Sequence, residues 1–310
     1  MKKLGVWLLV SMMAMSAVRP AEAAVWPEEA MAQADTVRTE EEASEILSVE
    51  VQARSGSPVQ DYVTRLYQVV LDRTPRADEV SDWESRLVSG ANTGAEVAAG
   101  FVFSDEYQRK NTSDEAYVDM LYRTLLGREP DAGGKADWLG WLSVGISRSG
   151  VFAGFANSAE FQRICDSYGV ERGSFTSGEI VDRNYDVTAF VSRMYTVVLN
   201  RSWDRGGLYD WTGLLLNHEI SGRDLARGFF FSAEFQRKNV SNEEFVRICY
   251  RTCLNREPDE EGWNTWMGQL QSGASRESVL DGFIGSREYT ALCQEYGIER
   301  GSIPSAVSSL

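Results

Sequence analysis

Apolar residues recur with helical spacing at the start of four similar segments of the chain. In the first segment, Val63, Leu66, Tyr67, Val70 and Leu71 fall at i, i+3, i+4, i+7 and i+8, which places one apolar stripe along a helix. The pattern therefore predicts an amphipathic helix at the start of each segment. The four matching stretches are Tyr62–Tyr67, Tyr117–Tyr122, Phe190–Tyr195 and Phe245–Tyr250, which lie 55, 73 and 55 residues apart.

Four further landmarks keep nearly the same spacing. Each segment has an arginine after the first apolar stretch, a tryptophan ten residues later, a Gly-Phe pair, and then a Ser-x-Glu-aromatic motif. Landmarks that stay in register over a period of about 50 residues indicate a repeat protein. The arginines are Arg73, Arg128, Arg201 and Arg256; the tryptophans are Trp83, Trp138, Trp211 and Trp266; the Gly-Phe pairs begin at Gly100, Gly154, Gly228 and Gly282; the Ser-x-Glu motifs begin at Ser104, Ser158, Ser232 and Ser286.

A longer period groups the repeats in pairs. The first and third repeats share the ending Gln-Arg-Lys-Asn, and the second and fourth share Tyr-Gly-(Val/Ile)-Glu-Arg-Gly-Ser, in each case 128 residues apart. We therefore predict two helical units, each made of two repeats. Unit one covers 59–174, with repeats 59–111 and 114–174; a linker covers 175–186; unit two covers 187–302, with repeats 187–239 and 242–302; a tail covers 303–310.

The residues at the expected helix ends of each repeat predict helices and almost no sheet. The first helix is expected to end at Pro75, Pro130 or Pro258, because proline cannot continue a helix, with Trp203 in the third repeat as the exception. The serine of Ser-x-Glu can cap a last helix, whose dipole favours the glutamate. We predict an all-α fold. The second helix, which carries the tryptophan, is expected to stop at Gly90, Gly145, His218 or Gly273.

Residues 1–23 have the organisation of a secretory signal peptide. Lys2 and Lys3 precede an apolar stretch, and small residues flank the expected cleavage site after Ala23. The apolar run is shorter than the ~20 residues that span a bilayer, so a membrane anchor is not expected. We expect export from the cell and no membrane span after cleavage. Residues 24–58 are acidic and poor in large apolar residues, which predicts a partly disordered linker.

Composition and charge limit the classes of binding partner that are expected. The chain has 310 residues, of which 43% are hydrophobic and 25% charged, as in ordinary globular proteins. Its formal net charge is −15. Nucleic acid and anionic membrane surfaces would be repelled overall, so neither is an expected partner.

The repeat pattern as a whole resembles a known bacterial family. Aromatic-Val-x-x-Leu-Tyr, Leu-x-Arg-x-Pro-Asp-x-x-Gly-x-x-x-Trp and Gly-Phe-x-x-Ser-x-Glu-Phe are similar to domain of unknown function 4214, itself distantly like the phycobilisome linker domain. The second repeat, from "YVDMLYRTLLGREPDAGGKADWLGWL" to "SAEFQ", matches best, whereas the first has "RTPRADEVSDW" where Asp and Gly are expected. The resemblance covers roughly 59–302 and implies a helical fold. Such domains occur in secreted and surface-associated proteins, without an established catalytic residue, so the resemblance implies no activity.

The glutamates of the four Ser-x-Glu motifs have two interpretations. They could be glycosidase acids, but catalysis normally uses one asymmetric set of carboxylates, so four equivalent copies favour architecture. We predict that each repeated arginine pairs with the glutamate of its own repeat and ties the first helix to the fourth. No catalytic residue is assigned. The predicted structural residues are Arg73, Arg128, Arg201, Arg256, Glu106, Glu160, Glu234 and Glu288.

Metal and cofactor sites are not expected. An Asp-x-x-Gly loop recurs at Asp131–Gly134, Asp204–Gly207 and Asp259–Gly262, but it offers too few oxygens for calcium and favours a turn in which aspartate caps the next helix. His218, the only histidine, lacks the partners that a zinc site or a Ser/His triad would need. It is expected at a surface helix end.

Four cysteines in an exported chain usually indicate disulfide bonds. We expect Cys293 to pair with Cys249 or Cys253, leaving Cys165 unpaired or bridged between units. Alternatively, Cys249 and Cys253 are small core residues, because leucine stands at their positions in the second repeat.

Three aromatic residues in or beside the loop between the first and second helices do not recur. Trp203, Tyr209 and Trp263 are therefore candidate ligand-binding residues, since exposed rings often hold sugars or protein partners; ordinary packing is the alternative. The sequence favours a secreted, non-catalytic binding or scaffold module that recognises a glycan or an extracellular or envelope protein. A secreted hydrolase acting on cell wall or polysaccharide, and a purely structural role in assembly, are the alternatives.

Overall fold

The computed structural model of the protein describes residues 56–302. The predicted signal peptide, almost all of the predicted acidic linker and the tail lie outside the described residues. Within 56–302 the chain is α-helical and contains no β-strand, as the sequence predicted. None of the helices in this range is long and apolar enough to cross a membrane.

Each repeat folds into four helices. In unit one they are α1 (Pro58–Val70), α2 (Ala77–Val88), α3 (Gly94–Val102), α4 (Asp105–Gln108), then α5 (Asp114–Leu121), α6 (Ala132–Val144), α7 (Arg148–Ala156) and α8 (Ala159–Tyr168). In unit two they are α9 (Tyr185–Arg193), α10 (Arg205–Leu216), α11 (Gly222–Phe230), α12 (Ala233–Arg237), then α13 (Asn242–Cys249), α14 (Glu260–Gln271), α15 (Arg276–Ile284) and α16 (Arg287–Glu295). The first helix continues as a π-helical turn in three repeats, at Tyr122–Leu126, Met194–Val198 and Tyr250–Leu254, and a short 3₁₀ helix covers Ile180–Asp182.

Serine caps the fourth helix of every repeat, as predicted. In each case the hydroxyl accepts a hydrogen bond from the backbone N–H of the aromatic residue three positions later, at 3.0–3.1 Å. The capping satisfies a backbone donor that the helix itself leaves free. The four serines are Ser104, Ser158, Ser232 and Ser286.

The first helix ends earlier than the prolines predicted. A residue with positive φ follows it in every repeat and turns the chain away three positions before the proline column. Glycine, asparagine and aspartate tolerate this left-handed conformation best, which explains the residue types in this column. The residues are Asp72 (φ 55°), Gly127 (φ 68°), Asn200 (φ 46°) and Asn255 (φ 54°). The predicted stops of the second helix are confirmed, since Gly90, Gly145, His218 and Gly273 all have positive φ.

Each unit has its own apolar core, and the repeated tryptophans pack against it. Trp138 is buried, whereas Trp83, Trp211 and Trp266 are half-buried. The indole lies against the glycine of the Gly-Phe pair: a Cβ on Gly154 would overlap the Trp138 ring. Overlap with the indole thus explains the glycine in repeats two and four, whereas a Cβ on Gly100 in repeat one would lie 3.7 Å from Trp83, an ordinary contact.

The longer period of the sequence arises from contacts between the two repeats of a unit. After α8 the chain crosses to α3, where the backbone N–H of Gly94 donates to the carbonyl of Glu171 at 2.7 Å. In unit two Gly222 donates to Glu299 at 2.8 Å in the same way. The shared Glu-Arg-Gly segment therefore supplies the backbone partners that the start of the third helix lacks.

The expected disulfide is wrong. All four cysteines are free thiols, and each is fully buried. Burial raises the pKa of Cys293 to about 11 and that of Cys165 to about 12. The thiols remain protonated and pack as small apolar residues, which was the alternative interpretation for Cys249 and Cys253.

Candidate functional site

The repeated arginine and glutamate meet in every repeat. The guanidinium donates from both Nε and Nη2 to the two carboxylate oxygens, which is the bidentate geometry of the strongest charge-assisted hydrogen bonds. Each pair connects the end of the first helix to the start of the fourth. The Nε–oxygen distances are 2.8 Å for Arg73–Glu106, 2.7 Å for Arg128–Glu160, 2.7 Å for Arg201–Glu234 and 2.9 Å for Arg256–Glu288.

The same guanidinium also stacks on a tyrosine and meets a second carboxylate. In repeat two, the Arg128 Cζ lies 4.9 Å from the centre of the Tyr122 ring, and its Nη1 lies 3.5 Å from Asp131. The Tyr122 ring in turn packs edge-on against Phe155. The arrangement recurs in the other repeats. We call this set of residues the arginine cluster.

The Asp-x-x-Gly loop has the predicted capping role. Asp131 accepts a hydrogen bond from the backbone N–H of Gly134 at 2.8 Å, and the other two loops do the same. This backbone contact, with the nearby arginine, lowers the pKa of the aspartate. The glycine is needed because a side chain there would overlap the Tyr122 hydroxyl. Within residues 56–302 no group of three His, Cys, Asp or Glu side chains is placed to hold a metal ion.

Repeat one rebuilds the arginine cluster with a different residue. Its loop has Arg76 where the others have aspartate, and Glu79 where they have glycine. Glu79 approaches Arg73 at 3.0 Å, so the second carboxylate comes from three positions further along. Hydrogen bonds from Arg73 and from the Arg76 backbone lower the pKa of Glu79 to about 2. The pKa of Glu106 is also lowered, chiefly by Arg73.

The three candidate aromatic residues are half-buried and contact different neighbours. The Trp203 Nε1 donates to the backbone carbonyl of Ser143 in unit one at 3.0 Å. Tyr209 lies beneath Arg205, and burial together with the neighbouring Glu179 raises its pKa to about 12. Trp203 and Tyr209 thus lie where the two units and the linker meet. Trp263 lies elsewhere in unit two, with the guanidinium of Arg247 over its ring at 4.7 Å.

The predicted linker, 175–186, is packed against both units, and its Val181 lies in the core of unit two. Phe175 lies between Phe103 and Phe152 of unit one, with ring centroids 5.7 and 4.8 Å away. The Asp182 carboxylate accepts hydrogen bonds from the backbone N–H and the hydroxyl of Ser147, at the start of α7. We call these contacts and that of Trp203 the joint.

A charged cluster in unit two has no counterpart in unit one. Asp281 is buried and accepts from Arg227 at 2.9 Å, while Arg223 lies 3.5 Å away and Glu277 contacts Arg227. Sequence reasoning missed these residues because they break the repeat. The signal was available at positions 128 residues earlier, where unit one has Ala95, Ala99, Ser149 and Ala153.

The neighbouring linker explains this difference between the units. In unit one Phe175 stacks on Phe103, whereas in unit two the guanidinium of Arg227 lies 5.4 Å from the equivalent ring, Phe231. Glu277 and Asp281 hold that arginine in place. An ion-paired arginine thus covers in unit two the face that the linker covers in unit one, which makes this face polar.

Comparison with known proteins identifies the repeats. The sequence model of one family, described as a domain of unknown function (DUF4214), matches residues 43–111, 98–165, 174–238 and 226–293. The first match begins ahead of the boundary predicted at 59 and takes in a further Ser-x-Glu sequence at Ser48–Glu50. No curated protein matches the chain significantly. Four tandem matches together cover most of the length, so the chain belongs to the DUF4214 family and carries the domain in tandem.

Proposed function

We propose that this chain is a secreted, non-catalytic binding or scaffold module that recognises a glycan or an extracellular protein outside a bacterial cell. The joint is the observation that carries the proposal. It packs the linker and Trp203 against both units, so that four helical repeats form one support for an extended surface. Tandem helical repeats commonly use such surfaces for binding. The export part of the proposal rests on the signal-like sequence of residues 1–23.

The arrangement of carboxylates gives less support to a hydrolase. A glycosidase acid needs a raised pKa, whereas arginine lowers the pKa of Glu106 and of Glu234. In unit two, where the carboxylates are asymmetric, Glu277 and Asp281 are both bound to Arg227. These carboxylates are already engaged in holding helices together.

Trp263 is the candidate aromatic residue that lies outside the joint. Its cation–π contact with Arg247 is particular to repeat four. At the same two positions repeat two has Lys135 and Asp119, which form an ion pair at 2.7 Å. We therefore assign Trp263 as the contact for a sugar ring or for a partner's side chain, a role for which an amphipathic ring is suited.

The repeat itself supplies a matched variant for the test. Trp263→Lys combined with Arg247→Asp would install the ion pair of repeat two and remove the aromatic surface without leaving a cavity. We would probe the full-length protein on a glycan array and in pull-downs from envelope and culture extracts. We expect specific binding by the wild type, at least a tenfold loss in the double variant and an unchanged melting temperature.

The result separates the two parts of the proposal. A wild-type protein that binds neither a glycan nor an extracellular or envelope protein would overturn the binding function. Equal binding by the wild type and the double variant would remove Trp263 from the site and leave the binding function standing.

A further inference from the structure

The sequence Gln-Arg-Lys-Asn ends the first repeat of both units, and its outer residues have structural roles. The Gln108 Nε2 donates to the Val102 carbonyl at 3.2 Å, and Gln236 donates to Phe230 at 3.4 Å. Asn111 and Asn239 have the same positive φ of 46°, which ends the short fourth helix. Packing and backbone geometry thus account for the first and last residues of the motif.

The two central residues of the motif have no such role. Arg109, Lys110, Arg237 and Lys238 are exposed, and none of them makes a hydrogen bond through its side chain or an ion pair with another residue of 56–302. Most other arginines in this range are paired. Arg109 acts electrostatically on Glu106, and Arg237 and Lys238 act on Glu234, but each of these glutamates already binds the arginine of its own cluster bidentately. The four cations therefore remain available to a ligand.

A further arginine lies beside each basic pair. The Arg148 Nη2 donates to the Thr112 carbonyl at 2.6 Å, and the Arg276 Nη2 donates to the Val240 carbonyl at 2.7 Å. In unit one Asp114 neutralises Arg148 at 2.8 Å. Asparagine replaces this aspartate in unit two, so Arg276 has a neutral partner, at 3.0 Å. Two carboxylates close to the basic pair in the sequence of unit one, Asp105 and Asp114, are thus replaced by Ala233 and Asn242 in unit two, where Arg276 keeps an electrostatic contact with Glu243.

We propose that the two basic ends, Arg109–Lys110 and Arg237–Lys238, are contact points for an anionic polysaccharide, with the stronger contact in unit two. The inference rests on the proposed function and names the class of glycan and its site. A polymer with regularly spaced carboxylate or phosphate groups suits a chain that presents the same cationic pair twice, because two weak contacts to one ligand reinforce each other. Positive side chains supply such contacts by displacing counterions from the polymer.

The acidity of the rest of the protein gives this binding a distinctive dependence on salt. The net charge of −15 repels a polyanion at long range, and this repulsion is screened first as salt is added. Attraction at the basic ends acts at contact and weakens only at higher salt. We therefore expect affinity to pass through a maximum near physiological ionic strength, where the Debye length is about 8 Å.

The probe is a polygalacturonate oligomer, with a neutral glucan of equal length as the reference ligand. Full-length protein is titrated across a salt series by calorimetry or interferometry. We expect Arg237→Ala with Lys238→Ala to reduce affinity on the order of tenfold, and Arg109→Ala with Lys110→Ala to reduce it less. Arg123→Ala is the matched control, because it removes an exposed arginine that Glu129 already neutralises at 2.8 Å.

Several outcomes would overturn the proposal without touching the proposed function. One is unchanged polygalacturonate binding when all four basic residues are alanine. Another is a protein that binds the neutral glucan, or a protein partner, but does not bind polygalacturonate. A third outcome is a protein that binds polygalacturonate only after Glu40, Glu41 and Glu42 have been changed to glutamine. That result would show that the acidic segment of the chain itself occupies the basic ends. Failure to bind any glycan or protein would instead remove the proposed function.

Discussion

The arginine cluster of repeat two should contribute more to stability than that of repeat four. The two clusters share the same chemistry but differ in exposure. The side chains of Arg128 and Glu160 are 19% and 14% exposed, whereas those of Arg256 and Glu288 are 40% and 49% exposed. The perturbation is Glu160→Gln, which keeps the shape of the side chain and removes its charge. Glu288→Gln is the matched control.

The expected magnitudes follow from this difference in solvation. In the Glu160→Gln variant, Arg128 would keep Asp131 as its one carboxylate, at 3.5 Å, together with the Glu129 carbonyl and the tyrosine ring. Losing a largely desolvated charged hydrogen bond costs about 1.5–3 kcal/mol of the free energy of unfolding. Losing a solvent-screened pair, as in Glu288→Gln, costs less than about 1 kcal/mol.

Urea unfolding followed by circular dichroism measures both losses, and a double-mutant cycle identifies their cause. In an Arg128→Met background, Glu160→Gln should no longer destabilise the protein, because the guanidinium it would leave unpaired is already gone and the carboxylate it removes has lost its arginine. Equal losses from Glu160→Gln and Glu288→Gln would refute the reasoning from exposure. An undiminished loss in the Arg128→Met background would show that the pair is not the source of the stability.

Three further perturbations test other parts of the structure. Gly154→Ala should destabilise the protein by about 1–3 kcal/mol through overlap with Trp138, whereas Gly100→Ala, whose Cβ would lie 3.7 Å from the nearest indole, should be neutral or stabilising; thermal melts of both variants decide this. Because the folded-state pKa of Glu79, about 2, lies below its ordinary value of 4.5, its stabilisation is complete above about pH 4.5 and is lost as the pH falls toward 2. Urea midpoints in this window should fall less steeply for Glu79→Gln, and parallel curves would contradict the assignment. Asp182→Ala removes the two hydrogen bonds that Asp182 accepts from Ser147 and one that it accepts from the Ser177 hydroxyl within the linker. It should separate the unfolding of the two units in calorimetry, whereas a single unchanged transition would show that the joint does not couple them.

The sequence predicted the parts of the structure that are repeated. Serine at the start of each fourth helix, and a left-handed residue after each second helix, follow from local chemistry that acts within a few residues. The contact between arginine and glutamate could be proposed because both columns are complete in all four repeats. The end of the first helix was misassigned because the prolines are conspicuous, whereas the column of Asp72, Gly127, Asn200 and Asn255 has mixed residue types.

Structural features that occur only once in the chain could not be predicted from the spacing of the sequence repeats. The hydrogen bond from Trp203 to Ser143 depends on how one unit packs on the other, and no local pattern encodes that contact. The charged cluster around Asp281 was visible only as a departure from unit one at matched positions. Comparing the units position by position, instead of seeking what they share, would have identified it.

The crossing from α8 to α3 affects the order in which the chain folds during synthesis. Within a repeat, the arginine cluster joins residues 32 or 33 positions apart, so it can form soon after that repeat leaves the ribosome. The N–H of Gly94, however, has its partner in Glu171, at the far end of the following repeat. We therefore expect the first repeat of each unit to remain incompletely folded, without the backbone partners of its third helix, until the second repeat has been translated. Insertions or truncations should accordingly be tolerated between units better than between the two repeats of one unit.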